Sequence, residues 1–244
     1  MKSHQEANSV HLRNDSDEPS SPGKDVLRVY GMKFCPFTHR LKLVLAAKGV
    51  DYEMVNINLK SKPKWYSSKN CDGKIPTLEV NGILITESDV TSEYVDAAYK
   101  GKTLTTTDPL KRAQEKMLLV QWGKSTSGYY KYAFGNDEND KIQGSMQIKE
   151  GFEKVEKYLK ENGGPFICGS EPGLADYVLY PHLERIAAII PIVISQFERL
   201  QEFYDKMQSD PAVQACRHSN ELHRAFIHKA SNGDVDACDV CVSD

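Results

Sequence analysis

Asn81-Gly82 stands between two apolar runs, Ile75-Pro76-Thr77-Leu78-Glu79-Val80 before it and Ile83-Leu84-Ile85 after it. A two-residue turn of this composition tolerates positive φ at both central positions, so the segment predicts an antiparallel hairpin. Proline cannot donate to a sheet ladder, which puts Pro76 at a strand start. Upstream, Val26-Leu27-Arg28-Val29-Tyr30 is rich in β-branched residues and short enough to be a buried strand. Phe37, Leu41, Val44 and Leu45 then recur at helical spacing until Gly49, and Tyr52 to Asn58 alternates as a half-buried strand. An irregular Lys/Ser-rich stretch precedes the hairpin, and a helix from Ser88 to Tyr99 follows it, ending at Gly101. The order βαβ, loop, ββα specifies a small α/β domain with a mixed sheet over residues 25–102.

Residues 103–108 form a polar linker whose Asp108-Pro109 suits an N-cap followed by a first-turn proline. Everything beyond reads as helical, giving an all-α domain over 109–232. Its helices are expected at Leu110 to Tyr132, Ile142 to Leu159, and roughly 174–190, 195–209 and 211–230. Residues 1–24 are polar, without apolar periodicity, and are expected to be a flexible extension able to pack on a neighbouring surface. Residues 233–244 form a tail holding Cys238-Asp239-Val240-Cys241. One Cys pair is a weak metal signal, so no metal site is expected, and the pair reads as incidental in a mobile tail.

The net charge of −3, with no concentrated basic stripe, gives no argument for nucleic acid. The longest apolar run, Ile186 to Ile194, is broken by Pro191 and too short to span a membrane. No apolar signal-peptide core is present, and the six cysteines are too scattered to be a disulfide framework. A reducing, cytoplasmic location is expected.

Cys35 falls in Phe34-Cys35-Pro36-Phe37-Thr38, between the first strand and the first helix. Pro36 suits the first helical position. Cys35 is thereby placed at a helix N-terminus, where unpaired N–H groups and the macrodipole favour negative charge. Lys33, His39 and Arg40 add positive charge nearby. A thiol there is expected to have a lowered pKa and to react as thiolate. A dithiol site would carry a second cysteine at the position of Thr38. The site is therefore monothiol and must be released by an external thiol, for which glutathione is the natural candidate.

A Cys-Pro-Phe α/β domain followed by an all-α domain resembles a cytosolic glutathione transferase, and more narrowly the omega class. The resemblance rests on Phe34-Cys35-Pro36-Phe37, Asn58-Leu59-Lys60-Ser61-Lys62-Pro63, Ile75-Pro76 and Thr86-Glu87-Ser88. It implies a thioredoxin-like βαβ-α-ββα domain, a cis Ile75–Pro76 bond and a homodimer. No cofactor is implied beyond glutathione as co-substrate. The implied activities are thiol transfer and dehydroascorbate reduction through a glutathionylated cysteine, with reduction of methylated arsenic acids beside them. The other substrates would be small oxidised or electrophilic molecules and glutathionyl mixed disulfides. Cys35 would be catalytic. Phe37, Leu59, Lys62, Ile75, Pro76, Glu87 and Ser88 would bind glutathione, with Lys62 on its glycine carboxylate, Ser88 on the γ-glutamyl carboxylate and Glu87 on the ammonium. Pro36, His223 and Phe226 would line the second-substrate pocket, although His223 taken alone reads as a surface helix residue. Gly173, three residues ahead of Asp176, replaces the family's Ser or Thr cap and implies some lost local stability. Two rivals remain open: conjugation activated by a Tyr30 or Thr38 hydroxyl, and a non-catalytic, membrane-associating protein like the chloride intracellular channel family.

Overall fold

The structure, a computed structural model, describes residues 10–240, without the side chains of Lys124 and Ile192. The first unit runs β1 (Leu27–Gly31), α1 (Pro36–Lys48), β2 (Glu53–Asn56), α2 (Tyr66–Lys69), β3 (Thr77–Val80), β4 (Ile83–Thr86) and α3 (Ser88–Ala98). Its four strands are ordered β2-β1-β3-β4. β1 is buried at all five positions because it is central, parallel to β2 and antiparallel to β3. The hairpin closes where the sequence places it, Val80 opposite Ile83, with φ of 49° at Asn81 and 78° at Gly82. α1 starts on Pro36 and ends at Gly49, whose φ of 65° and N–H to Ala46 and Leu45 carbonyls make a left-handed cap.

The helical unit comprises α4 (Pro109–Phe134), α5 (Glu138–Asn162), α6 (Leu174–Ile189), α7 (Pro191–Ile194), α8 (Glu198–Gln208), α9 (Pro211–Cys216) and α10 (Asn220–Ser231). Asp108 caps α4, accepting the N–H groups of Leu110 and Lys111. α4 and α5 touch backbone to backbone: a Cβ on Gly128 would lie 2.7 Å from the Gly144 oxygen. Two expected helices differ, one starting late and one divided. Residues 195–209 become helical only at Glu198, because Phe197 is extended and buries its ring 5.7 Å from that of Phe152. Residues 211–230 break at Arg217 to Ser219, where the Ser219 hydroxyl accepts the Leu222 N–H and starts a new helix.

Gly173 before α6 has a packing cause. A Cβ there would meet the Leu104 carbonyl at 2.6 Å and the Cys168 sulfur at 2.8 Å, so a Ser or Thr cap has no room. Asp176 still closes its half of the box by accepting the Gly173 N–H at 2.9 Å.

Of the expected extension and tail, residues 1–9 and 241–244 lie outside the described residues, while 10–24 and 233–240 pack on the domains. β2 is an edge strand, and its open ladder is met by the arm: Leu12 donates to Asn56 O at 2.8 Å and accepts from Asn58 N at 3.0 Å. Ser16 O accepts from Trp65 Nε1, Ser20 O accepts from Arg28, and Arg13 pairs with Asp236. The tail forms a 3₁₀ turn at Ala237–Asp239 that buries Cys238 and Val240, because the apolar surface beside β1 is otherwise uncovered. Cys238 is therefore a packed residue, and Cys241 lies outside the described residues.

Candidate active site

β1 delivers the chain into a tight turn, Met32 to Cys35, closed by the Cys35 N–H on Met32 O at 3.0 Å. Cys35 occupies the N-cap of α1 with φ −71° and ψ 121°, and its carbonyl accepts the His39 N–H. Its side chain is buried among Tyr30, Met32, Phe34, Tyr66, Ile75 and the tail's Cys238. The turn is braced from outside. Arg185 of α6 donates from Nε to Phe34 O at 3.0 Å, and His218 donates to Lys33 O at 3.1 Å. From the arm, His11 Nε2 accepts the Lys33 N–H at 3.2 Å. Behind the turn Arg185 also binds Pro181 O and His39 Nδ1, while Glu184 takes Arg185 and His223.

The charges differ from the expected set. Burial, reinforced by Arg185, holds His39 well below the usual histidine range, so it is neutral and adds no cation beside Cys35. Arg40 remains a cation. It reaches Ser88 Oγ at 3.2 Å and Asp89 at 2.9 Å, with its guanidinium 4.9 Å over the Phe37 ring. Lys33 lies 5.4 Å over Phe34.

Arg40 thus joins the start of α3 to α1, one turn after Cys35. Ser88 is the first residue of α3 and buried; Glu87 before it is exposed with φ 66°. Ile75 packs in the same apolar group as Cys35, and the Ile75–Pro76 bond is cis. Among the described residues the Ile75 N–H and C=O have no hydrogen-bond partner, which leaves them able to pair with an extended peptide. Lys62 donates to Gly73 O at 3.2 Å, two residues ahead of Ile75, and its ammonium is exposed. Leu59 is exposed on the Asn58 turn, where Asn58 Oδ1 accepts the N–H groups of Lys60 and Ser61.

Of the proposed second-substrate residues, Pro36 is buried and Phe226 stacks on Phe34 at 4.6 Å. His223 is not a surface residue. It is 1 % exposed because Glu184, itself buried, accepts from its Nε2 at 3.1 Å. A cavity of about 440 Å³ opens between α3, α4 and α6, lined by Phe37, Arg40, Asp89, Leu119, Val120 and Val178 among others. Burial pushes Tyr129 of α4 up to about 12, against the opposing pull of Arg185.

The hydroxyls of the rival reading are poorly placed. Tyr30 OH donates to Glu79 at 2.6 Å and is pushed up by burial and by that carboxylate; Thr38 is fully buried, and its Oγ1 accepts the Met32 N–H at 3.4 Å. His11, Cys238 and Asp239 offer ligand atoms within 4.8 Å of one another. Both His11 ring nitrogens are already bonded, so a cation there would have to displace one bond. Arg185, His218 and His11 escaped sequence reading, since each is a lone polar residue whose partner is more than a hundred positions away or, for His11, lies across another element.

Comparison with known proteins places this geometry. Residues 29–103 match the family model for the glutathione S-transferase N-terminal domain, and residues 125–220 that for the C-terminal domain. Glutathione S-transferase omega-1 of Sus scrofa is 35% identical over 230 residues, 93% of this chain and 95% of its own length. Pyrimidodiazepine synthase of Drosophila melanogaster is 32% identical over 238 residues, with the same two coverages of 93% and 95%. The crystal structure of glutathione transferase Omega 3C from Trametes versicolor aligns at a TM-score of 0.71 over 87% of this chain and 94% of its own; at 18% identity it speaks for the fold alone. No described helix is long and apolar enough to cross a membrane. With both domain models matched in order and omega-1 aligned along nearly its whole length, the chain belongs to the omega class of the glutathione S-transferases.

Proposed function

We propose that this glutathione transferase is a thioltransferase and dehydroascorbate reductase that works through a glutathionylated Cys35. The observation that carries the reading is a cysteine at the N-cap of α1, where the alternative Tyr30 hydroxyl is committed to Glu79 and Thr38 is fully buried. Cys35 thiolate attacks the glutathionyl sulfur of a mixed disulfide, forming a Cys35–glutathione disulfide and expelling the substrate thiolate. A second glutathione thiolate attacks the glutathionyl sulfur on Cys35, yielding glutathione disulfide and restoring the cysteine. Dehydroascorbate takes two electrons and two protons from the same pair of glutathiones, and methylated arsenic acids are a further oxidised substrate class.

Glutathione lies along Ile75, whose free N–H and C=O hold its main chain. Lys62 takes the glycine carboxylate, and Glu87 and Ser88 take the γ-glutamyl end at the N-terminus of α3. Phe37, Leu59 and Pro76 supply the apolar walls. The exposed Ile83 of β4, Val90 of α3, and Met117 and Val120 of α4 support a homodimer.

Exposure to glutathione disulfide is expected to add one glutathionyl group, mapped by intact-mass and peptide analysis to Cys35. Modification of the exposed Cys71 alone, with Cys35 untouched, would overturn the reading. Lys62→Ala, Glu87→Ala and Ser88→Ala are each expected to weaken glutathione binding by roughly 1.5–3 kcal/mol, about ten- to a hundredfold, because each leaves a ligand charge unpaired. Titration calorimetry reads this directly. Ser88→Ala also loses its contact with Arg40, so its melting temperature is measured alongside. The double variant of Glu87 and Ser88 is expected to be non-additive, since both hold one end of one ligand. Wild-type affinity in all three single variants would remove the groove assignment.

A further inference from the structure

The turn that delivers Cys35 has two central residues, Lys33 and Phe34, whose outward polar groups are held by side chains from remote segments. One of these belongs to the N-terminal arm: His11 Nε2 accepts the Lys33 N–H at 3.2 Å. The opposite side of the same residue is held by His218 on Lys33 O at 3.1 Å. His11 is only 2 % exposed, so an amide released by it would have no ready water to turn to.

The ring is oriented from the other chain end. His11 Nδ1 and the His11 backbone N–H both donate to Asp239 Oδ1, at 2.5 and 3.0 Å. A backbone N–H pointing at Nε2 requires that nitrogen to be bare, and the carboxylate on Nδ1 selects the tautomer in which Nδ1 carries the proton. Burial lowers the His11 pKa against the opposing pull of Asp239, which keeps the ring neutral and Nε2 an acceptor. The Cys238 sulfur shares the cluster, but coordination of a cation would break one of these two ring bonds. The arrangement is a hydrogen-bond relay running from tail carboxylate to arm imidazole to active-site turn.

We propose that His11 is a positioning residue for Cys35: oriented by Asp239, it holds the Lys33 N–H and thereby fixes the turn that sets the sulfur at the N-terminus of α1. The proposal rests on Cys35 being the reacting thiol.

The test compares His11→Ala, His11→Gln, Asp239→Ala and Glu18→Gln with wild type. The rate of iodoacetamide alkylation at Cys35 is read by peptide mass spectrometry, beside thiol-transfer turnover and calorimetric glutathione affinity. His11→Ala is expected to slow alkylation and turnover about tenfold, the rate equivalent of one neutral hydrogen bond, with glutathione affinity unchanged. His11→Gln restores the rate, because its amide oxygen replaces the Nε2 acceptor. Asp239→Ala gives an intermediate loss. Glu18→Gln breaks the arm's pair with Lys69, which lies outside the relay, and leaves the rate unchanged.

Three results would overturn the proposal: a wild-type rate in His11→Ala, no rescue by His11→Gln, or an equal slowing in Glu18→Gln, which would mean general loosening of the arm. A failure of the Cys35 assignment would show separately, in wild type, as glutathionylation mapping elsewhere.

Discussion

Cys35→Ser is expected to lower glutathione-dependent thiol transfer and dehydroascorbate reduction by roughly 10³-fold or more, the scale on which loss of a nucleophile is felt, while the fold survives. Serine is close in size, and Cys35 makes no side-chain capping bond in the native protein that could be lost. Serine is also a good N-cap residue, so α1 loses nothing at its start. What disappears is the sulfur: a hydroxyl forms no disulfide with glutathione, so neither half of the exchange can proceed. The melting temperature should stay within a degree or two of wild type. Unchanged reductase rates in the folded variant would move the chemistry to another residue.

Asp176→Ala is expected to produce the largest loss of stability of any single change at a polar residue described above. Asp176 is fully buried and accepts three backbone N–H groups: Ile167 at 2.7 Å, Gly173 at 2.9 Å and Cys168 at 3.2 Å. Alanine leaves two buried donors and the half-buried Cys168 N–H without this acceptor, at about 1–3 kcal/mol for each buried group. Allowing for local relaxation, the loss is about 3–5 kcal/mol, a large part of the 5–15 kcal/mol margin common to folded domains. For a chain of this size that corresponds to a melting point roughly 6–20 °C lower. Asp176→Asn keeps one acceptor oxygen and should lose less. Urea unfolding of both variants measures this, and a loss below about 1 kcal/mol in Asp176→Ala would contradict the assigned role.

Features decided by local chemistry were legible before any coordinates. Asn81-Gly82 specified its hairpin through φ alone, and Pro36 with Gly49 bounded α1 through the groups each lacks. Cys35 followed, because a strand end and a helix start leave a residue between them little freedom. What escaped depends on partners far along the chain. His223 lies on a helix with polar neighbours, and only Glu184 on α6 shows that it is buried. Gly173 looked like a missing capping hydroxyl, yet the Leu104 carbonyl forbids any side chain there. The breaks before Glu198 and at Arg217 to Ser219 follow from Phe197 burial and Ser219 capping, which compete with helical periodicity. Arm and tail read as solvated polar segments because neither the edge of β2 that orders the arm nor the apolar surface beside β1 that orders the tail can be seen in their own composition.

The brace around the Met32–Cys35 turn also sets when in the life of the chain the site is completed. Phe34 meets Arg185 across 151 positions, and His11 meets Asp239 across 228. Translation proceeds from the N-terminus at about 5–20 residues per second, and domains fold largely as they emerge. The sheet carrying Cys35 can form once residue 98 is free of the ribosome, well before α6 exists to hold the Phe34 carbonyl. The carboxylate that orients His11 is made later still. A nascent chain therefore carries its cysteine for several seconds on an unbraced turn, and the last of these contacts comes with residue 239 rather than with the unit that houses the thiol.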